Sequence, residues 1–342
     1  MIKYISKRIL YAFFVLLGVS LLTFVMGRVA PGDPVDTLLS NKENPTLEER
    51  LEAEEYLGLN RTWTVQYFDW LMDVIKGDFG NSYKTNQPVL HEFMVRLPAT
   101  LLLTFGATIA MLLIGFPLGI ASALKKGKML DMGISLYNTI AISIPSFCLG
   151  ILLILVFGVN LKLLPVMGIG GLKHLILPSL SIGVIAGAGL ARLIRIQMLA
   201  VIKMNHVTAA RVFGVSNFRI VKNHILKNAL PPIITAIGLM IGGLLGGSAI
   251  IETLFAWPGA GSFLVQAIYG RDYPVIQAYA LIMAGVYMLI NIGVDLIYGL
   301  LIPAKWLVGD NDENKKDTVA NRDYDGLNCD RSGDICTDSG AE

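Results

Sequence analysis

The side chains that could ligate a metal or act as nucleophiles are few and scattered: His91, His174, His206, His224, Cys148, Cys329 and Cys336. Cys329 and Cys336 lie among aspartates, but a structural zinc site needs four ligands at tighter spacing, and the histidines form no chelating group. The sequence has no glycine-rich loop ending in Gly-Lys-Ser or Gly-Lys-Thr, the device that grips nucleotide phosphates. Sharper candidates are charges set beside apolar sequence. Glu252 precedes TLFAWPGAG, with Arg271 and Asp272 soon after, and Asp295 lies in a later apolar run. A carboxylate inside a membrane is costly and tends to be functional. Close to an interface, Glu252 is expected to be hydrated or paired with Arg271, with a gate or substrate contact as the functional alternative. The other candidate is TAARVFGVSNFRIVKNHILKNALPP, Thr208–Pro232, which has five basic residues, counting His224, and no acidic one.

The elements that must position these residues are apolar. The chain has 342 residues, of which 54% are hydrophobic and only 16% charged, and its mean hydropathy is +0.60. A soluble domain carries about 25% charged residues, so this is a membrane protein. Uncharged runs cover Ile9–Gly27, Leu97–Leu124, Met132–Leu161, His174–Ala191, Asn228–Ile251 and Tyr273–Val294. At 1.5 Å per residue each is long enough, or nearly so, to cross about 30 Å of hydrocarbon. The expected fold is all-α and polytopic, with six transmembrane helices. The first run is too long for a signal-peptide core and lacks a small-residue cleavage site, so it reads as a retained helix. Pro145 is expected to bend the third span, the kink either shaping a path or serving packing alone.

Charge orients the spans. Lys3, Lys7 and Arg8 precede the first, Lys125, Lys126 and Lys128 follow the second, and Arg192–Lys227 holds seven Lys or Arg and no acid. Pro31–Leu97 instead holds twelve acidic and six basic residues. The positive-inside rule puts both termini and the basic loops in the cytoplasm. Four regions follow: residues 1–30 as a first helix, 31–96 as an extracytoplasmic segment, 97–303 as a core of five further spans, and 304–342 as an acidic tail. Within the second, Trp63, Tyr67, Trp70, Leu71 and Val74 fall at helical spacing, as in an interfacial amphipathic helix or a small cap on the bundle. From Asp310 onward ten acids, four bases and almost no apolar residues predict a disordered tail.

The basic stretch reads as a helix over Met198–Phe213, a turn at Gly214, and a second helix with Ser216 as its N-cap. Phe218, Val221, Ile225 and Ala229 would form its apolar stripe. Such a helix–turn–helix bracket suits docking to a cytoplasmic partner or, equally on physical grounds, attachment to anionic lipid.

The bracket resembles the EAA cytoplasmic loop of ABC-importer permeases: Ala209 and Ala210 match its alanines, Gly214 its glycine, and Asn228, Ala229, Leu230 and Pro231 its continuation. VMGRVAPGDPV, RLPATLLL, SIPSFCLGILL and the block Gly242–Ala278, with Trp257-Pro258-Gly259 and Arg271-Asp272-Tyr273-Pro274, are similar to further blocks of the dipeptide/oligopeptide/nickel branch. The likeness runs from Met1 to about Pro303 and is to the first permease of the pair. Thr208 stands in place of the signature's Glu, Lys227 in place of its Pro, and Asn205-His206 in place of Asp-Tyr.

The resemblance implies a transport subunit, not an enzyme, in a bacterial or archaeal inner membrane. It implies a second homologous permease, two cytoplasmic ATPases that use the ATP, and an extracytoplasmic substrate-binding protein. No cofactor is bound directly, and nucleic acid is not a partner. Thr208, Ala209, Ala210, Arg211, Gly214, Asn228 and Pro231 would couple to the ATPases, while Pro145, Glu252, Trp257, Pro258, Arg271 and Asp272 are candidates for the path or gate. The implied cargo is di- or oligopeptides, with nickel chelates or other small solutes as the alternative. A secondary transporter, a channel or a membrane assembly protein are the alternatives of other classes. Uncharged span centres speak against the first and the lack of a ring-forming filter segment against the second.

Overall fold

The computed structural model describes residues 2–29, 35, 39 and 45–301. It divides into a unit Met1–Val294 and a second unit Asp295–Glu342, whose described part, 295–301, is helical. The expected tail from 304 onward and the side chain of Asp295 lie outside the described residues.

Among the described residues the only extended pairing is an isolated bridge between Asn81 and Pro88. Five helices are long and apolar enough to span a membrane: α1 (Ile2–Val29), α4 (Val89–Leu124), α7 (Leu172–Ile202), α9 (Asn217–Gly247) and α12 (Tyr273–Leu301). The candidate for the sixth is a bent pair, α5 (Met129–Ser143) and α6 (Ser146–Asn160), which meet at 100° as a broken span or a re-entrant loop. Pro145 sits at that break, and Ile144 before it is extended (φ −88°, ψ 125°). A proline ring forces the preceding residue out of the helical region, so the bend expected there is an abrupt corner. Pro98, Pro117 and Pro178 instead lie inside continuous helices, which buried neighbours in a bundle can sustain.

Helices α4 and α7 form the core of the bundle and run parallel. A Cβ on Gly183 would lie 2.9 Å from the Ala107 carbonyl oxygen, and one on Gly187 3.2 Å from that of Met111. Further along, a Cβ on Gly119 would lie 2.9 Å from the Ala191 carbonyl. Spacing four apart on each helix, Gly115/Gly119 and Gly183/Gly187, lets the backbones touch, the usual route to association where lipid supplies no hydrophobic drive. Leu103, Met111, Leu190 and Ile194 are buried beside this seam.

The acidic segment between α1 and α4 folds into α2 (Leu47–Tyr56) and α3 (Trp63–Ile75). Helix α2 opens with a capping box: Thr46 Oγ1 accepts from the Glu49 amide at 3.3 Å, and Glu49 Oε2 accepts from the Thr46 amide at 2.9 Å. Helix α3 leans on α1 through Tyr67 and Trp70, whose rings lie 5.4 and 6.1 Å from that of Phe24. Phe68, Met72 and Ile75 stay exposed on its other side.

Candidate functional site

The bracket is built in three pieces. Helix α7 stops at Ile202, Met204 is extended, and α8 (Asn205–Val212) begins a new direction, so the single helix expected over Met198–Phe213 is two. Nothing in local composition marks that break. Gly214 then takes φ +74°. Its amide donates to the Arg211 carbonyl at 3.0 Å, and the Val215 amide to that of Ala210 at 3.1 Å. These two bonds are a Schellman C-cap, which requires the left-handed conformation glycine supplies at least cost.

Ser216 precedes α9 but its side chain makes no capping bond. The first turns of α9 are π-wound over Ile220–Leu226. That winding shifts the phase of the apolar face: Ile220, Ile225 and Ala229 are buried, whereas Phe218 of the expected stripe is 77% exposed. Val207 and Ala210 of α8 pack into the same core as Val201 of α7. Outward at the tip are Thr208, Ala209 and Arg211, with Val212 81% and Phe213 84% exposed. Asn228 does not reach outward. Its Nδ2 donates to the His224 carbonyl at 2.8 Å and lies 3.0 Å from His206 Nε2, so it clasps α9 to the start of α8. Pro231 is half-buried inside α9 and its carbonyl accepts from Thr235 Oγ1 at 3.3 Å.

The other candidates gather elsewhere. Glu252, on α10 (Ala249–Leu254), is fully buried and not paired with Arg271. Its Oε1 accepts from Thr100 Oγ1 at 2.8 Å and Ser248 Oγ at 2.9 Å, and its Oε2 from the Ser262 amide at 2.8 Å. Ser262 lies in the first turn of α11 (Ala260–Tyr269), where free amides and the helix dipole favour an anion. These donors, not a counter-ion, make its burial tolerable. Gly259 permits the approach, since a Cβ there would meet Glu252 and Thr100.

Trp257, also buried, donates from Nε1 to the Ala99 carbonyl at 2.8 Å, and Pro258 beside it is exposed. The turn between α10 and α11 is thus clipped to α4. Asp272 is buried and accepts from Ser82 Oγ and from the Tyr83 amide at 3.2 Å, tying the segment after α3 to the start of α12. Arg271 is exposed at φ +52°. The sequence-predicted residues therefore form a bracket, a buried carboxylate clip and a span corner, not one constellation.

One group escaped the sequence reading. Asp131, at the start of α5, accepts from Arg195 Nε at 2.8 Å and Nη2 at 2.9 Å, from the Gly127 amide at 2.9 Å and from Ser122 Oγ. It staples the end of α4 and the start of α5 to α7. A signal was present: Asp131 is the only acidic residue between Arg96 and Glu252.

Known proteins give this geometry a family. A model described as binding-protein-dependent transport system inner membrane component matches residues 115–306, and its N-terminal counterpart matches residues 1–104. The oligopeptide transport system permease protein AppB of Bacillus subtilis is 38% identical, over 89% of this chain and 99% of that protein. The glutathione transport system permease protein GsiC of Salmonella typhimurium is also 38% identical, over 89% and 99%, and the di/tripeptide permease DppB of Pseudomonas aeruginosa 36%, over 89% and 98%. Among solved structures, the inward-facing MetNI methionine ABC transporter shares the fold, with a TM-score of 0.55 at 23% identity, over 62% of this chain and 97% of that one. Bundle, bracket and sequence together make this chain a member of the binding-protein-dependent transport system inner-membrane component family, the permeases of ABC importers.

Proposed function

We propose that this permease carries di- and oligopeptides inward, and that its bracket receives the stroke of cytoplasmic ATP-hydrolysing partners. The observation that carries the coupling is the bracket tip. Val212, Phe213 and Phe218 are each more than three-quarters exposed, beside Arg211 and Arg219, on a turn fixed by the Gly214 cap. Large apolar side chains clustered at a charged turn call for a covering surface. A grooved protein partner covers all three, and the short rigid arms pass its movement to α7 and α9. Coupling of this kind links two distinct sites through a bundle with two arrangements. The working assembly would add a second permease, two ATPases and an extracytoplasmic binding protein, with both termini of this chain in the cytoplasm. The peptide cargo is supported by what the relatives' names say they carry and by the lack of fixed charges at mid-span.

The test is Gly214→Leu in a reconstituted complex. A leucine held left-handed costs roughly 1–2 kcal/mol and loads the turn with bulk, so membrane insertion should be normal while ligand-stimulated ATP hydrolysis and uptake are lost. Full stimulation in the variant would refute the coupling role. For the cargo, calorimetry of the cognate binding protein with short peptides and with nickel chelates decides: tight chelate binding without peptide binding would replace the peptide reading and leave the coupling intact.

A further inference from the structure

The corner between α5 and α6 leaves backbone groups without partners at membrane depth. Pro145 has no amide to give. Among the described residues, neither the carbonyls of Ile142, Ser143 and Ile144 nor the amides of Ser146, Phe147 and Cys148 are hydrogen-bonded. The first bond of α6 runs from the Leu149 amide to the Pro145 carbonyl at 3.2 Å, and no side chain caps its start. The residues concerned reach the surface of the chain: Ile142 and Phe147 are each 41% exposed, and Ser143 and Pro145 are exposed too. Depth follows from length. The 15 residues of α5 separate the corner from Lys128 at the basic turn. That is about 22 Å at 1.5 Å per residue, within a hydrocarbon layer of about 30 Å. Unpaired backbone does not face lipid at such depth. It is tolerated only where protein buries it or where it lines a water-filled cavity.

One face of α5 decides between the two. Ser135, Thr139 and Ser143 recur every fourth residue and are all exposed, a line of hydroxyls that ends at the corner. Thr139 Oγ1 donates to the Ser135 carbonyl at 2.9 Å and Ser143 Oγ to that of Thr139 at 2.8 Å, so both keep lone pairs free to accept. A second face buries Asp131, Ile134, Asn138 and Ala141. Gly133 and Ile140, seven residues apart and exposed, mark a third that is apolar. The hydroxyls alone would be tolerable in lipid, but the corner is not. A neighbouring helix has its own backbone bonded internally and has no amides or carbonyls to spare for it. Water has, and so has a peptide. We propose that the corner and the hydroxyl line leading to it wall a water-filled passage, where the cargo's own amides meet the corner's free carbonyls and amides. Contact of this kind reads no side chain, which suits a varied cargo. For the identity of the cargo it rests on the peptide-import reading above, to which it adds the residues the cargo passes.

The complete importer, carrying Cys148→Ser, Cys329→Ser and Cys336→Ser, is placed in nanodiscs and given one new cysteine at a time. Ser135→Cys, Thr139→Cys and Ser143→Cys probe the hydroxyl line, Gly133→Cys and Ile140→Cys the apolar face. Each is reacted with a charged, water-soluble methanethiosulfonate. The line should react at least about tenfold faster than the apolar face, because the thiolate is the reactive form and a thiol in apolar surroundings stays protonated. Trialanine, added with the binding protein and ATP, should slow labelling of the line and leave the apolar face unchanged. Equal rates on the two faces would overturn the passage. So would an unreactive line in an importer that still takes up trialanine, which would make this face a dry seat for the other permease. A reactive line that trialanine fails to slow, in an importer that transports it, would overturn the cargo contact. Uptake of radiolabelled trialanine into proteoliposomes reads the peptide assignment separately. If no short peptide is taken up while the line still reacts, peptides are removed as the cargo and the wet passage stands.

Discussion

Asp131→Ala strikes the staple that joins α4, α5 and α7. The carboxylate is only 6% exposed and makes a bidentate pair with Arg195, whose side chain is 28% exposed. Removing one partner of a buried pair costs about 3–5 kcal/mol. Arg195 can partly reach water, which places the loss near the lower bound, about 3 kcal/mol. Ser122 is buried and loses its acceptor, adding about 1 kcal/mol. At about 2.1 cal/mol/K of unfolding entropy per residue, a total of about 4 kcal/mol corresponds to a fall of roughly 5–6 °C in thermal midpoint for a chain of this size, measured on the purified protein in nanodiscs. The companion is Asp131→Ala with Arg195→Met, which removes the stranded charge and should recover part of the loss, giving a coupling of about 2–3 kcal/mol. A single-variant shift under about 3 °C, or strict additivity in the double variant, would refute the staple.

Three further outcomes are expected. Gly183→Leu would drive a side chain into the Ala107 carbonyl, a backbone atom that cannot step aside; a loss of about 3 kcal/mol should show as reduced folded yield, and a wild-type yield would contradict the parallel seam. Cysteines introduced at Glu54 and Asn217 should label from opposite sides of the membrane, and labelling from one side would sink the orientation. Truncation after Asp310 should leave assembly and uptake intact, and a truncated chain that no longer binds its ATPases would make the tail part of that interface.

The apolar runs and basic loops made six spans and their order legible, and Tyr273–Val294 coincides with the last span. What stayed hidden depended on distant partners. The fourth span was expected to end at Ala191 because Arg192 and Arg195 follow, but α7 continues to Ile202. Arg195 is tolerated there because Asp131, 64 residues away, takes its charge. Glu252 was expected near water for the same reason, since its donors Thr100 and Ser262 are supplied by other helices. Pro145 announced a bend, but proline chemistry fixes only the local backbone, and the corner's angle depends on what α6 packs against. Gly150 of α6 lies against Leu254 and Phe255 of the α10 turn. In the bracket, the turn at Gly214 was legible from residue type. The phase of the second arm was not, because a 3.6-residue template cannot detect π winding.

That winding has a consequence for insertions and deletions. Ile220–Leu226 holds its wider turns between α-helical Asn217–Arg219 and Lys227–Gly247. An α-helix advances about 100° and 1.5 Å per residue. Deleting one residue from the stretch, with no change of residue type at the tip, would tighten it and swing Phe218 and Arg219 about a quarter-turn around the axis of α9. Length variation at this one place would re-aim the exposed tip while leaving the α-helical stretch after Lys227 in register.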